Sequence, residues 1–319
     1  MQPSGTFRID GIIPIIPTPF TEEQQVAWED MGSLIEFAHA AGACAVCLPA
    51  YASEFYKLSE AERIQLIREA VRLAAGRIPV IAQVNYPSSV QAAEVAACSQ
   101  ELGAAAVSTA VPRLFALAER DLYRHFERIL SAISIPLIIQ DFNPGGATVS
   151  PAFIKTLHRG FPHFRYVKLE EPLLAAKVEA IRRETEDEVG VIEGWGGMYI
   201  LELREAGICG VMPGLALTDL LARVYRLASD GKKNEAYAIF QGVLPQIVYS
   251  LQNLEMFHHA EKLLLQARGV VRHAHVREAK LEMHPNEVEH IQFLNGRILA
   301  LLDRLNMPVN PAARTEGLE

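Results

Sequence analysis

The amino-acid sequence predicts an α/β protein: a (β/α)8 TIM barrel with appended C-terminal helices. Three observations predict it. Eight short apolar runs recur at intervals of about 30 residues, as an eightfold barrel requires. Longer amphipathic runs separate most of them. The final stretch of chain reads as helix throughout.

The candidate strands are residues 11–16, 44–49, 78–84, 104–109, 135–140, 164–169, 189–193 and 208–212. Most are continuous Val/Ile/Ala/Leu runs, not strict alternations, which is how strands covered on both faces read. Helical patterns fall at 28–41, 59–75, 89–102, 120–131, 172–183, 198–206 and 216–228. Segment 59–75 is the best marked. Ser59 offers an N-cap oxygen, Glu62 completes a capping box, and Ile64, Ile67, Val71 and Ala74 repeat at helical spacing. No helix is assigned between the fifth and sixth strands. Residues 1–230 are therefore read as the barrel. Residues 231–319, with helices at 234–251, 255–268 and 287–305, are read as a helical extension packed on it. A doubly wound open sheet is the rival, but the turn after the first strand, Pro14-Ile15-Ile16-Pro17-Thr18-Pro19, carries no G-x-G-x-x-G. The Pro-rich and polar tail after Met307 is expected to fray.

Half of the 319 residues are hydrophobic, enough for a sizeable core. The formal net charge of −8 argues against a nucleic-acid or anionic-membrane partner, which needs clustered Lys and Arg. It leaves room for a small anionic substrate, because one pocket can oppose the global field. Cys44 and Cys47 have C-x-x-C spacing, yet on a strand residues three apart point to opposite faces, so the pair is not read as a metal site. Together with Cys98 and Cys209 they are expected to be small buried hydrophobes, reduced as in the cytoplasm. The first residues contain no apolar leader, and no apolar stretch reaches the ~18–20 residues that span a bilayer. The expected location is cytoplasmic.

Catalytic groups of such barrels sit at the C-terminal ends of strands. The ionisable strand end that stands out is Val167-Lys168-Leu169-Glu170. Period-two alternation puts Tyr166, Lys168 and Glu170 on one face and the aliphatics Val167 and Leu169 on the other, toward the helices. Lys168 therefore points inward. A dry pocket favours a neutral amine, which is the nucleophile that Schiff-base chemistry needs. An ion pair with Glu170 closing the barrel mouth accounts for the same residues, and the stretch alone leaves both readings open.

At this point the chain resembles the dihydrodipicolinate synthase and N-acetylneuraminate lyase family of class I aldolases and dehydratases. Pro17-Thr18-Pro19-Phe20, Gly76-Arg77-Ile78-Pro79-Val80-Ile81-Ala82, Leu122-Tyr123-Arg124-His125-Phe126, Val167-Lys168 and Gly210-Val211-Met212 carry the likeness, in order and across nearly the whole chain. The resemblance implies that Lys168 is the Schiff-base lysine for a small 2-oxo acid and that no metal or other cofactor is needed. It also implies a homo-oligomer, dimer or tetramer.

The chain departs from the family where substrate is held. The family's Gly-Thr-Thr-Gly-Glu loop is Ala50-Tyr51-Ala52-Ser53-Glu54 here, so Ala52, Ser53 and the Tyr51 phenol are the candidates for the carboxylate and for a proton relay. The relay tyrosine ending the fifth strand is replaced by Gln140, which can hydrogen-bond but not shuttle a proton. Gly145-Gly146 occupies the arginine region of the synthases, and Arg113-Leu114 the tyrosine pair after the fourth strand. These changes, with the Lys-x-Glu-x-Pro pattern, look closer to 2-keto-3-deoxy sugar-acid dehydratases, of which L-2-keto-3-deoxyarabonate dehydratase is an example. Glu170 is then a candidate base at C3. Arg113 is a candidate for a distal carboxylate or hydroxyl of the substrate, or equally for a rim ion pair; Gly194 and Met212 match substrate-lining positions, and a tight turn and a core methionine account for them as well. His258-His259 and His273-x-His275 are read as solvated or packing histidines. A pyruvate-dependent aldolase and a ligand-binding barrel that has lost turnover remain the competing functions.

Overall fold

The computed structural model describes residues 7–113, 116–143 and 148–313. Leu114 and Gly145-Gly146 lie outside the described residues. Eight parallel strands form the sheet: β1 (Gly11–Ile12), β2 (Val46–Leu48), β3 (Val80–Gln83), β4 (Ala106–Ala110), β5 (Leu137–Phe142), β6 (Phe164–Glu170), β7 (Gly190–Glu193) and β8 (Gly210–Val211). Their order is β1-β8-β7-β6-β5-β4-β3-β2. The chain beyond β1 runs beside β2 and joins the two ends: Cys47 N donates to Pro14 O (3.0 Å) and Ile16 N to Cys47 O (3.0 Å). The first and last ladders are shorter than the apolar runs suggest. Pro14 and Pro213 have no N–H to give, so the strands continue only as single bridges from Ile15 to Cys47 and to Gly214.

Eight helices surround the strands: α1 (Met31–Ala40), α2 (Glu60–Ala74), α3 (Ser89–Glu101), α4 (Glu119–Ala132), α5 (Pro151–Gly160), α6 (Ala175–Glu184), α7 (Ile200–Ala206) and α8 (Thr218–Ser229). The α2 capping box forms as the sequence predicts: Glu62 N donates to Ser59 Oγ (3.2 Å) and Ser59 N to Glu62 Oε2 (2.8 Å). Helix α5 falls where the apolar pattern assigns no helix. Its start signals are present, since Ser150 accepts from Phe153 N (3.1 Å) and Pro151 occupies the first turn. It buries Phe153, Ile154 and Leu157.

Strand residues divide by parity. Val80, Val107, Ile139, Val167, Leu169 and Val191 belong to the large core between strands and helices. Ile81, Ala106, Ile138, Tyr166, Ile192 and Met212 fill the barrel interior. Cys44 and Cys47 both pack with that interior cluster and not on opposite faces, because the ladder of β2 begins only at Val46. Among the described residues, no helix is long and apolar enough to cross a membrane.

Three further helices follow: α9 (Lys233–Ser250), α10 (Leu254–Ala267) and α11 (Pro285–Arg304). Arg268, at the end of α10, is 1% exposed and ties them to the barrel. Its guanidinium makes two bonds to Asp219 of α8 (2.9 and 2.6 Å) and one to Ala216 O (2.5 Å), and lies 4.7 Å from the Phe37 ring of α1. It also donates to Val309 O (2.7 Å), while Asn310 Nδ2 donates to Gly269 O (3.2 Å). The tail is thus held through these residues and does not fray from Met307, as its composition suggested.

Removing one partner of a buried ion pair leaves the other charge dry and uncompensated. Arg268→Met is therefore expected to destabilise the protein by about 3–5 kcal/mol. Arg268→Met with Asp219→Leu is expected to regain most of that loss. Urea unfolding of both variants measures the difference.

Candidate active site

The C-terminal ends of the strands open into a cavity of roughly 740 Å³ counting its open mouth. Strands and strand ends supply Ile15, Gln140, Lys168, Glu170 and Met212. The turn after β2 supplies Ala50, Tyr51 and Ala52, and the loop after β7 supplies Gly194, Trp195 and Gly196. The helical extension closes one side with Leu251, Asn253, Leu254 and Phe257.

Lys168 and Glu170 both point into the cavity, as their parity on β6 predicts. Lys168 Nζ lies 2.6 Å from Glu170 Oε1, with the two side chains 6% and 5% exposed. Gln140 Nε2 donates to both oxygens of that carboxylate (3.1 and 3.2 Å). Gly194 makes the arrangement possible. A Cβ there would stand 2.5 Å from Glu170 Oε1 and 2.7 Å from Lys168 Cε, so any larger residue displaces one of them.

The other candidates separate into two groups. Ala52, Gly194, Met212 and Tyr51 line the cavity together with Gln140. Tyr51 packs edge-on to Phe55 (5.0 Å between centroids) and tilted against Phe142 (5.6 Å). Burial, and next the Glu170 charge, push its phenol pKa up, so releasing its proton is harder than in water. Ser53 is not among the lining residues. Its hydroxyl donates to Ile16 O (2.6 Å) and accepts from Ala50 N (3.0 Å), which shapes the turn. Arg113 also lies outside the lining. It is one-third exposed and pairs with Asp141, which accepts from Thr148 N (3.1 Å) and Val149 N (3.0 Å) as well.

Several residues that matter here gave no local signal in the sequence. Gln83 and Asn85 lie beside Gln140 in the barrel and continue its hydrogen bonding. Glu54 adopts a left-handed conformation (φ 59°) and is buried. It pairs with Lys262 (2.5 Å) and Lys57 (3.1 Å) and accepts from Arg277 N (3.1 Å), so it fastens the Tyr51 turn to α10 and to the chain beyond it. Burial pushes the Lys262 amine down to about 8 despite that carboxylate. His258 is buried behind the same turn, 3.0 Å from the Tyr56 hydroxyl, and burial drives its pKa far down. His273 and His275 stack at 5.4 Å. Among the described residues no group of three or more His, Cys, Asp or Glu is placed to hold a metal ion.

Glu193 ends β7 and is fully buried. One oxygen accepts from Gly197 N (2.8 Å), and the other has no partner among the described residues. Burial raises its carboxyl to about 7, against the lowering effect of the Gly197 and Tyr199 backbone N–H groups. Glu261 is raised to about 7 for the same reason. Between pH 4.5 and 7 each of these two carboxyls therefore holds a proton in the folded protein that it releases in the unfolded chain. Each of the two contributions falls as pH rises through that window, by up to about 1.4 kcal/mol per pH unit, and levels off above it, while the buried His125 and His258, whose pKa burial lowers, contribute the opposite slope below 6.5. Glu193→Gln removes one falling contribution, so its stability relative to the wild type should rise with pH through the window. Urea midpoints measured from pH 4.5 to 8 test this.

The family model described as the dihydrodipicolinate synthetase family matches residues 8–294. The L-2-keto-3-deoxyarabonate dehydratase of Azospirillum brasilense is 29% identical over 310 residues, 96% of this chain and 97% of that protein. The 4-hydroxy-tetrahydrodipicolinate synthase of Aromatoleum aromaticum is 37% identical, but over 142 residues, 44% of this chain and 48% of that one. Among solved structures, the dihydrodipicolinate synthase from Rhodopseudomonas palustris matches with a TM-score of 0.85 at 23% identity, covering 92% of this chain and 99% of that one. At that identity the likeness bears on the fold, and it agrees with the eight parallel strands and the helices that follow them. The family match spans most of the chain and carries the activity class with it: this chain belongs to the dihydrodipicolinate synthetase family, as an enzyme of the aldolase and lyase type.

Proposed function

We propose that the protein is a Schiff-base-forming lyase that dehydrates a 2-keto-3-deoxy sugar acid through Lys168. One observation carries the reading: the Lys168 amine and the Glu170 carboxylate lie 2.6 Å apart in a cavity that is otherwise mostly apolar. Near-complete coverage of a 2-keto-3-deoxy acid dehydratase, against synthase matches that are half-length at 35–37% identity or reach 69–75% of the chain at 25–28%, supports dehydration over condensation.

The chemistry follows from the pair. Transfer of the ammonium proton to Glu170 leaves a neutral amine, which attacks the C2 carbonyl of the substrate. Loss of water from the carbinolamine gives an iminium that acidifies the protons on C3. Once Glu170 is again a carboxylate, it takes a C3 proton, and the C4 hydroxyl departs as water with a proton from the site. Hydrolysis of the conjugated iminium releases the product and restores the amine. Gln140 holds the carboxylate toward C3, and backbone around Ala52 receives the substrate carboxylate. The iminium is itself the electron sink, so the proposed steps call on no metal or other cofactor.

Pyruvate with borohydride should add a reduced adduct to Lys168, and Lys168→Ala should abolish it. An adduct on another lysine, or none with any 2-oxo acid, sinks the mechanism. Incubation with 3-deoxy-2-oxo acids, read by product mass, separates loss of water from carbon–carbon cleavage. Glu170→Gln should still trap pyruvate but lose exchange of the C3 protons with deuterated water by about 10²–10⁴-fold. Unchanged exchange per trapped adduct would move the base role away from Glu170.

A further inference from the structure

Behind the reacting pair, a line of buried amides crosses the barrel interior. Ala110 N donates to Asn85 Oδ1 (2.8 Å). Gln83 Nε2 donates both to that same Asn85 oxygen (2.8 Å) and to Gln140 Oε1 (2.9 Å). Gln140 Nε2 then donates to Glu170. On the other side, Cys47 Sγ faces Gln83 Oε1 at 3.5 Å. The line draws on β2, β3, β4, β5 and β6 in turn. Gln83, Asn85 and Gln140 are all buried.

An amide side chain can present either end, and what it presents to Glu170 matters. If Gln140 were turned over, its carbonyl oxygen would face the carboxylate, and two acceptors would oppose each other in a dry site. The direction of the whole line is fixed at its far end. A backbone N–H can only donate, so Ala110 fixes the oxygen of Asn85 toward itself. That oxygen can take a further bond only from a donor, which turns the amino group of Gln83 toward it. The second hydrogen of that group then demands the oxygen of Gln140, leaving its amino group for Glu170. The thiol of Cys47 faces the Gln83 oxygen and can donate to it, which agrees with the same sense without fixing it.

We infer that Gln83, oriented by Asn85 and the Ala110 N–H, is a positioning residue that locks the amide of Gln140 so that Glu170 is held by donors as the proton-accepting carboxylate. The inference rests on the Schiff-base reading above, because it concerns the base step of that reaction. It predicts a split between two steps that plain structural damage would not produce. Iminium formation needs only that the Lys168 proton can leave, to Glu170 however its carboxylate is turned or to water, whereas removal of the C3 proton needs that carboxylate aimed at C3.

The test uses the full-length protein, with pyruvate as the probe. Borohydride trapping reports iminium formation, and NMR-monitored exchange of the pyruvate methyl protons with deuterated water reports the base step. Gln83→Met keeps volume and removes the donors. It should leave the trapped fraction and the KM for pyruvate within about twofold, and should lower exchange per adduct by about 10-fold or more. In a Gln140→Met background the same substitution should cause no further loss, since the two act through one contact. If Gln83→Met does not yield folded protein, Gln83→Glu serves in its place. It keeps the size of the side chain and an acceptor for Cys47 but cannot donate to Gln140 as a carboxylate, and it should give the same split. Exchange per adduct at the wild-type level, a parallel fall in trapping and exchange, or full additivity with Gln140→Met would each overturn the inference while leaving the Schiff base standing. Absence of any adduct in the wild-type protein would overturn the Schiff-base reading and this inference with it.

Discussion

The site depends on one constraint: an ammonium and a carboxylate brought together out of water at the end of β6. Burying either charge alone is costly, and the structure meets the cost in two ways. The charges lie 2.6 Å apart, and the remaining capacity of the carboxylate is met by Gln140. Both features need room that a side chain just past the end of β7 would take. The absent Cβ at Gly194 is thus as much a part of the site as the lysine. The parity of β6 does the rest, by sending Val167 and Leu169 to the helical layer and Lys168 and Glu170 to the interior.

The helices after the barrel are part of the same construction. The extension supplies Leu251, Leu254 and Phe257 to the cavity wall, so the dryness that strengthens the Lys168–Glu170 interaction comes partly from outside the eightfold unit. The buried Arg268–Asp219 pair holds that extension on α8, and Glu54 links the Tyr51 turn to Lys262 of α10. Ion pairs far from the pocket therefore fix the position of residues that line it.

The departures from the family pattern take on a physical sense in this setting. Gln140 stands where a relay tyrosine is expected, and its amide serves as a fixed donor to a carboxylate instead of a carrier of protons. Ser53, a candidate for substrate contact, spends its hydroxyl on Ile16 and Ala50 and so sets the shape of the turn. Arg113 is engaged by Asp141 beyond the lining residues. These assignments follow from where hydrogen-bonding capacity is already satisfied, which residue type alone does not reveal.

The class of fold and the direction of Lys168 are both readable along the chain. Both are encoded locally: continuous apolar runs mark strands covered on both faces, helical spacing and caps mark the helices, and period two decides which side of a strand a residue faces. Helix α5 carries equally local signals, the Ser150 cap and Pro151 in its first turn. Tertiary structure alone decided which polar groups meet. Gln83 and Gln140 are 57 residues apart, Glu54 and Lys262 are 208 apart, and nothing near either partner in the chain announces the other. A hydrogen bond or an ion pair is a relation between positions in space. Until the barrel closes and the last helices dock, its partners cannot be read from the residues that make it.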